Sequence, residues 1–164
     1  MKAIQAVLVA LAAAIILTSV AAAGPDAAKR RVAINMKIYP QSTFVLTPLQ
    51  AGPLKRDSGT ISSNWTSIHG RAVMRDGQKV TIYDGAVTTL TGKLGTLTIR
   101  DRNEWVYLGN DANRDGEEDG VGFGTWEVVR GTGQYAGIVG KGRNTHVGLG
   151  SPWYARYEGF LTTP

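Results

Sequence analysis

The sequence predicts an all-β, single-domain antiparallel barrel of about eight strands that follows an export signal. Glycine supplies 21 of the 164 residues without a collagen-like triplet, so the glycines fit turns in a strand-rich chain. Short β-branched and aromatic runs alternate with glycine, asparagine and aspartate turns. Beyond the N-terminal apolar run, no stretch keeps a helical apolar period over three turns. A helical domain is therefore excluded.

The N-terminus has the three parts of a secretory signal peptide, over residues 1–23. A short basic start is followed by an apolar run over Ala3–Val20, and alanines at 21–23 form a signal-peptidase site. The alternative is a membrane anchor, because the run is close to the shortest spanning length. Small alanines and the cleavage motif favour cleavage near Ala23/Gly24. We therefore expect a secreted or periplasmic protein whose mature chain has no membrane span.

Composition excludes several kinds of chemistry. The chain has no cysteine, so it has no disulfide framework, thiol nucleophile or cysteine-ligated zinc site. The formal charge of +5 is too mild to predict a nucleic-acid partner. Residues 24–31 are polar and basic, and they predict a loose arm before a barrel domain over 32–164.

The first half of the domain contains five candidate strands. The residues Asp76-Gly77 separate the last two of these strands, and this pair is a strong signal for a two-residue hairpin. In the fifth strand Val80 and Ile82 alternate with polar or aromatic neighbours. The five strands are Val32–Tyr39, Thr43–Pro48, Thr60–Trp65, Gly70–Met74 and Lys79–Val87.

The second half alternates most clearly over Gly95–Arg102, where Leu97 and Ile99 share one face. Trp105–Leu108 either extends this strand or bends it. Glycines inside the later runs would relieve crowding where a small barrel bends; these are Gly124, Gly137, Gly140 and Gly142. The remaining candidate strands are Val121–Val129, Gly142–Leu149 and Tyr154–Leu161.

The segment 124–142, GTWEVVRGTGQYAGIVGKG, carries the most pattern. It is no phosphate-binding loop, because its Gly-Thr-Gly lacks the lysine-Ser/Thr ending and precedes no helix. It resembles the signature of the allene oxide cyclase-like and dirigent-like β-barrels, especially their small exported bacterial relatives, and Tyr157–Leu161 looks like their closing strand. The resemblance implies an eight-stranded calycin-like barrel with an apolar cavity. It carries over no catalytic residue, because the matched positions are turn glycines and core aromatics.

Aromatic residues are the candidates for lining such a cavity, although most must fill the core of so small a barrel. The predicted ligand-binding residues are Trp105, Tyr107, Trp126 and Tyr135.

Glu127 is the candidate catalytic residue. If Phe123 and Val129 face inward, Glu127 is an interior carboxylate with a raised pKa and could act as an acid or base. If Trp126 faces inward, as its apolar ring favours, Glu127 is solvated. His69 and His146 lack the neighbours of a serine triad or a metal site, so each is interpreted as an ordinary strand or loop residue.

An acidic loop offers oxygen ligands at the spacing of a calcium loop: Asp111, Asn113, Asp115, Glu117 and Asp119. It is no EF-hand, because Gly122 stands where a bidentate glutamate belongs and the flanks are strands. The alternative is a solvated turn. Structural calcium is thus a possible cofactor, and no other cofactor is required.

The expected function is binding of a small apolar or aromatic molecule inside the barrel. One alternative is an isomerase, cyclase or dirigent-like protein that acts by cavity shape. A second alternative is a structural envelope protein with a calcium-binding loop. The residues leave the ligand, any catalysis and the oligomeric state open.

Overall fold

A computed structural model describes residues 29–39, 42–65, 68–111, 114 and 119–164. Within these ranges the chain forms nine strands and a short 3-10 turn at Gly133–Tyr135, with no α-helix. The same ranges hold no helix that is long and apolar enough to cross a membrane. The strands are β1 (Arg30–Tyr39), β2 (Thr43–Pro48), β3 (Asp57–Ser63), β4 (Arg71–Arg75), β5 (Gln78–Gly92), β6 (Thr96–Tyr107), β7 (Gly120–Gly131), β8 (Val139–Gly148) and β9 (Trp153–Thr162).

Eight strands close into an antiparallel barrel, which confirms the predicted fold class. The order is β2-β1-β9-β8-β7-β6-β5, and β3 pairs with both β2 and β5 to close the ring. The ninth strand, β4, lies outside the ring as a hairpin partner of β5. The Asp76-Gly77 hairpin is also confirmed, because Arg75 pairs with Gln78 and both turn residues have positive φ, 48° and 81°.

Some predicted boundaries differ from the observed ones. β6 is one continuous strand, so Trp105 extends the predicted run instead of bending it. β5 has a bulge at Gly85, inside the predicted run, and it continues beyond Val87 to Gly92. β1 starts at Arg30, which pairs with Leu161, so two residues assigned to the arm belong to the barrel. The proposed signal peptide and most of the arm lie outside the described residues.

One end of the barrel is filled by apolar side chains. The space remaining there is about 20 Å³, the size of a single water. Leu54, Tyr135 and Ile138 close this end from outside the strands. The hydroxyl of Tyr135 donates a 2.8 Å hydrogen bond to Asp57 at the start of β3. The packed side chains include Ile34, Met36, Leu46, Leu90, Leu97, Ile99, Trp126, Tyr157 and Leu161.

Candidate ligand-binding cavity

The other end of the barrel holds a cavity of about 610 Å³. It lies where β1, β3, β6 and β8 end and where β5 and β9 begin, because its lining residues cluster there. The lining combines aliphatic side chains, among them Ile38 and Ile61, with seven aromatic side chains, which we call the aromatic wall. The aromatic residues are Tyr39, Trp65, Tyr83, Trp105, Tyr107, Trp153 and Tyr157.

Glycines in β7 make room for the aromatic wall. Gly122 lies beside Trp105 in the β6–β7 register, and a Cβ there would stand 2.8 Å from the Cε2 atom of that indole. A Cβ at Gly120 would stand 3.1 Å from Cε3 of the same ring. The indole of Trp105 therefore lies against the β7 backbone, which is possible because these positions have no side chain.

The rings of the aromatic wall contact one another. Trp65, from the loop after β3, packs edge-on against Tyr83 and Trp105 at centroid distances of 5.0 and 6.4 Å. Trp153 packs against Trp105 at 5.7 Å. The hydroxyls of Tyr83 and Tyr107 are 2.9 Å apart and share a hydrogen bond.

His146 and Tyr157 form the base of the cavity, with ring centroids 5.7 Å apart. His146 is only 6% exposed, and its Nε2 atom has no hydrogen-bond partner among the described residues. Burial lowers the pKa of His146 to about 4, so the imidazole is neutral at neutral pH. Burial, and then the carboxyl of Asp101, raise the pKa of Tyr157 well above its ordinary value.

Asp101 lies behind this base and is fully buried. Its Oδ1 accepts a 2.8 Å hydrogen bond from Nδ2 of Asn144, while Oδ2 has no partner in the described part of the chain. Burial raises the pKa of Asp101 to about 7, and the hydrogen bond from Asn144 opposes this shift. The group is thus partly ionised at neutral pH, which is unusual for an aspartate.

Asn103 completes the polar layer between Asp101 and Trp105 on the inner face of β6. Neither amide atom of Asn103 has a hydrogen-bond partner in the described ranges. A Cβ at Gly124 would be 2.7 Å from Asn103 Oδ1, so the amide lies over that glycine, between β6 and β8. We call Asp101, Asn103, Asn144, His146 and Tyr157 the polar floor.

Two of the four predicted ligand-binding residues, Trp105 and Tyr107, line the cavity. Trp126 lies in the filled apolar end, where its Nε1 donates to the backbone oxygens of Arg143 and Glu158 at 3.0 and 3.2 Å. Tyr135 lies at the closed end of the barrel. Neither of these two residues lines the cavity.

The candidate Glu127 lies on the outside of the barrel. Its side chain is 52% exposed and pairs with Arg100 at 2.9 Å, because Trp126 takes the inward position. Asp101 is a carboxylate that does face the interior, next to the cavity, and the sequence reasoning missed it. Its signal was the strand alternation itself, since Asp101 follows Leu97 and Ile99 at the two-residue period of one face.

The calcium prediction remains a prediction, because Asn113, Asp115 and Glu117 lie outside the described residues. Asp119 is buried, and its Oδ2 accepts a 3.2 Å hydrogen bond from the Asn110 side chain. Within the described ranges, no three His, Cys, Asp or Glu side chains are grouped to hold a metal ion. His69 is an exposed loop residue, whereas His146 lines the cavity.

Comparisons of the chain with protein-family models, with curated proteins and with solved structures find no match.

Proposed function

We propose that this protein binds a small apolar or aromatic molecule inside its barrel without transforming it. The observation that carries the proposal is the cavity of about 610 Å³ with its aromatic wall. Small-molecule sites are typically mainly apolar hollows of roughly 300–1,000 Å³ with a few polar groups at fixed positions. The cavity has this size and this lining.

The contrast between the two barrel ends supports a binding role. Leucine, isoleucine and methionine side chains pack the closed end to a residual space of about 20 Å³. The other end is lined by larger rings, yet it retains a volume about thirty times greater, since glycines replace side chains along β7. Large side chains arranged around a space, instead of filling it, favour a ligand site over a packing defect.

Export and family membership are parts of the same proposal. The apolar N-terminal run and the alanines before Gly24 support a secreted or periplasmic location. An eight-stranded antiparallel barrel with a cavity is also what the resemblance to allene oxide cyclase-like and dirigent-like proteins implies. The ligand would then be one that the protein meets outside the cytoplasm.

A second candidate function is an isomerase or cyclase that acts by cavity shape. The observation in its favour is Asp101, a buried carboxyl whose pKa of about 7 suits proton transfer at neutral pH. His146 and Tyr157 line the cavity, whereas Asp101 does not. Binding is therefore the better supported function.

Titration with N-phenyl-1-naphthylamine, an uncharged fluorescent probe, tests the proposal. Trp65, Trp105 and Trp153 line the cavity, so a bound probe should receive energy from tryptophan. We expect saturable binding of one probe per chain. Ile38→Trp, which fills the cavity, should abolish binding, whereas the matched outer-face variant Val129→Trp should not.

Either of two results would contradict the proposal: no saturable binding, or equal loss in the two tryptophan variants. The second result would mean that the probe binds on the outside of the barrel. Once a ligand is identified, turnover in wild type and in Asp101→Asn separates the two functions, because an enzyme that uses Asp101 as its acid or base loses turnover in the variant, whereas a binder shows no turnover in either protein.

A further inference from the structure

We propose that the ligand of this cavity is an organic cation: an arylalkylamine whose ring lies against the aromatic wall and whose ammonium group faces the polar floor. This inference rests on the proposed function and names its ligand class. Four features of the cavity carry it.

The first feature is the charge of the lining. Among the described residues, the cavity is lined by hydroxyl, aromatic and aliphatic side chains and by no lysine or arginine. His146, the one basic side chain there, is neutral at neutral pH because it is buried. An organic anion would therefore lose its hydration and gain no opposite charge, so the cavity disfavours carboxylates.

The second feature is an uncompensated carboxylate. Asp101 is buried with an amide, Asn144, as its hydrogen-bond partner, and its Oδ2 is unpartnered within the described ranges. A buried carboxylate without a basic partner is costly, and a cation nearby offsets that cost. A bound ammonium would supply the positive charge that the described side chains do not place there.

The third feature is an excess of acceptors in the polar floor. The buried polar atoms without described partners comprise four acceptor positions, Asp101 Oδ2, Asn103 Oδ1, Asn144 Oδ1 and His146 Nε2, and two donors, Asn103 Nδ2 and Trp105 Nε1. Nε2 accepts when the neutral ring carries its proton on Nδ1. Of the acceptors, His146 Nε2 belongs to a residue that lines the cavity, and it can accept a hydrogen bond from an ammonium group, which has three donors and no acceptor.

The fourth feature is the wall itself. Cations are attracted to the faces of tryptophan and tyrosine rings, which are the main components of the wall. Asp101 does not line the cavity, but its carboxyl contributes, after burial, to the raised pKa of Tyr157, which does line it. Asn144 and His146 are successive inward positions on β8, which places the Asp101–Asn144 pair about 7 Å behind the base of the cavity.

Three probes with one skeleton test the inference: 3-phenylpropylamine, 3-phenylpropan-1-ol and 3-phenylpropanoate. They differ in charge at the same end, and tryptophan fluorescence reports their binding at pH 7.5. We expect the amine to bind about tenfold more tightly than the alcohol, and the carboxylate to bind most weakly. Asp101→Asn should bring the amine and alcohol affinities together, whereas Glu127→Gln, which removes an outer-face carboxylate, should leave their ratio unchanged.

The pH dependence gives a second measurement that needs no variant. Among the described residues, the titratable groups that face the interior near the polar floor are Asp101 on β6, His146 on β8 and Tyr157 on β9, while β7 presents glycines and Trp126. Further titratable groups are Tyr39, Tyr83 and Tyr107 in the cavity lining and Asp57 at the closed end. Of these, Asp101 titrates near pH 7. Amine affinity should therefore rise from pH 6 to pH 8 as Asp101 ionises, and alcohol affinity should not.

The possible results distinguish a failure of the ammonium proposal from a failure of the proposed binding function. If the alcohol binds as tightly as the amine, the inference is overturned and the binding function stands. If none of the probes binds and N-phenyl-1-naphthylamine also fails, both are overturned. If Zn²⁺ or Ca²⁺ alone binds stoichiometrically and Asp101→Asn abolishes this, the floor is a metal site and the ammonium proposal is wrong.

Discussion

Asn144 on β8 donates a 2.8 Å hydrogen bond to Asp101 on β6, across the intervening strand β7. Asp101 lies beside Trp126 and Asn144 lies beside Gly124 in the strand registers, so this hydrogen bond crosses β7 diagonally. This contact lies at the boundary between the filled apolar end and the cavity. The barrel interior is thus divided by a buried polar layer, and the titration of that layer leads to the first two predictions.

Asp101→Asn should change how stability depends on pH. The folded-state pKa of Asp101 is raised from 3.8 to about 7, so the native state holds the proton more tightly and wild-type stability falls with rising pH in that window. His146 acts in the opposite direction, so the wild-type free energy of unfolding should be nearly flat from pH 5 to 8. The variant should instead gain about 2 kcal/mol over this range in urea titrations. A variant profile parallel to that of wild type would contradict the pKa of Asp101.

His146→Gln should change the pH dependence of stability in the opposite direction to Asp101→Asn. The folded-state pKa of His146 is lowered from 6.5 to about 4, so its unfolded state binds the extra proton and stability is lost as the pH falls below 6.5. Without His146, the loss of stability with rising pH that Asp101 causes is no longer offset. The free energy of unfolding should then fall by roughly 2 kcal/mol between pH 5 and 8. His69→Gln, at an exposed loop position, is the control and should follow wild type.

Gly122→Ala should reduce the cavity. The added Cβ would stand 2.8 Å from Cε2 of Trp105, so the indole must move away from β7 and into the ligand space. We expect a stability loss of about 1–3 kcal/mol from overpacking and roughly tenfold weaker binding of N-phenyl-1-naphthylamine. Gly52→Ala, where the new Cβ has no neighbour within 4 Å, should change neither quantity. Unchanged binding in Gly122→Ala would place the probe away from Trp105.

Tyr135→Phe should destabilise the closed end without affecting the cavity. The Tyr135 hydroxyl donates to Asp57 Oδ2 at 2.8 Å, and Asp57 also accepts the backbone N–H of Lys93 at 2.9 Å. Loss of this buried bond should cost about 1–3 kcal/mol in a denaturation experiment. The half-exposed Tyr154→Phe should change stability by less than about 0.5 kcal/mol. Weaker probe binding in Tyr135→Phe would show that the two barrel ends are coupled.

Much of the fold could be predicted because strand signals are local. The Asp76-Gly77 turn, the alternation of Leu97 and Ile99, and the glycines of β7 each carry their own structural preference. Boundaries were less certain where a strand continues through polar residues. β6 passes from Ile99 through Asp101 to Trp105, and polar residues at buried positions interrupt the pattern that marks a strand.

The candidate site could be predicted only in part. Trp105 and Tyr107 were identified because large aromatic residues commonly line cavities, but the same reasoning selected Trp126 and Tyr135, which pack elsewhere. Side-chain type shows that a ring will be buried, without showing at which end of a barrel. Glu127 was considered as an interior carboxylate because the inward face of β7 could not be assigned with certainty from its own residues.

The amino-acid sequence by itself determined the all-β class, the hairpin turn and the two faces of each strand, since these depend on residues within a few positions of one another. Tertiary structure alone decided which residues meet inside the barrel. Asp101 and Asn144 are forty-three positions apart, and their contact exists because the closed ring brings β6 and β8 to either side of a glycine-lined strand. Closure of the barrel brings the inward-facing residues of separate strands together, and the polar floor exists only because of this closure.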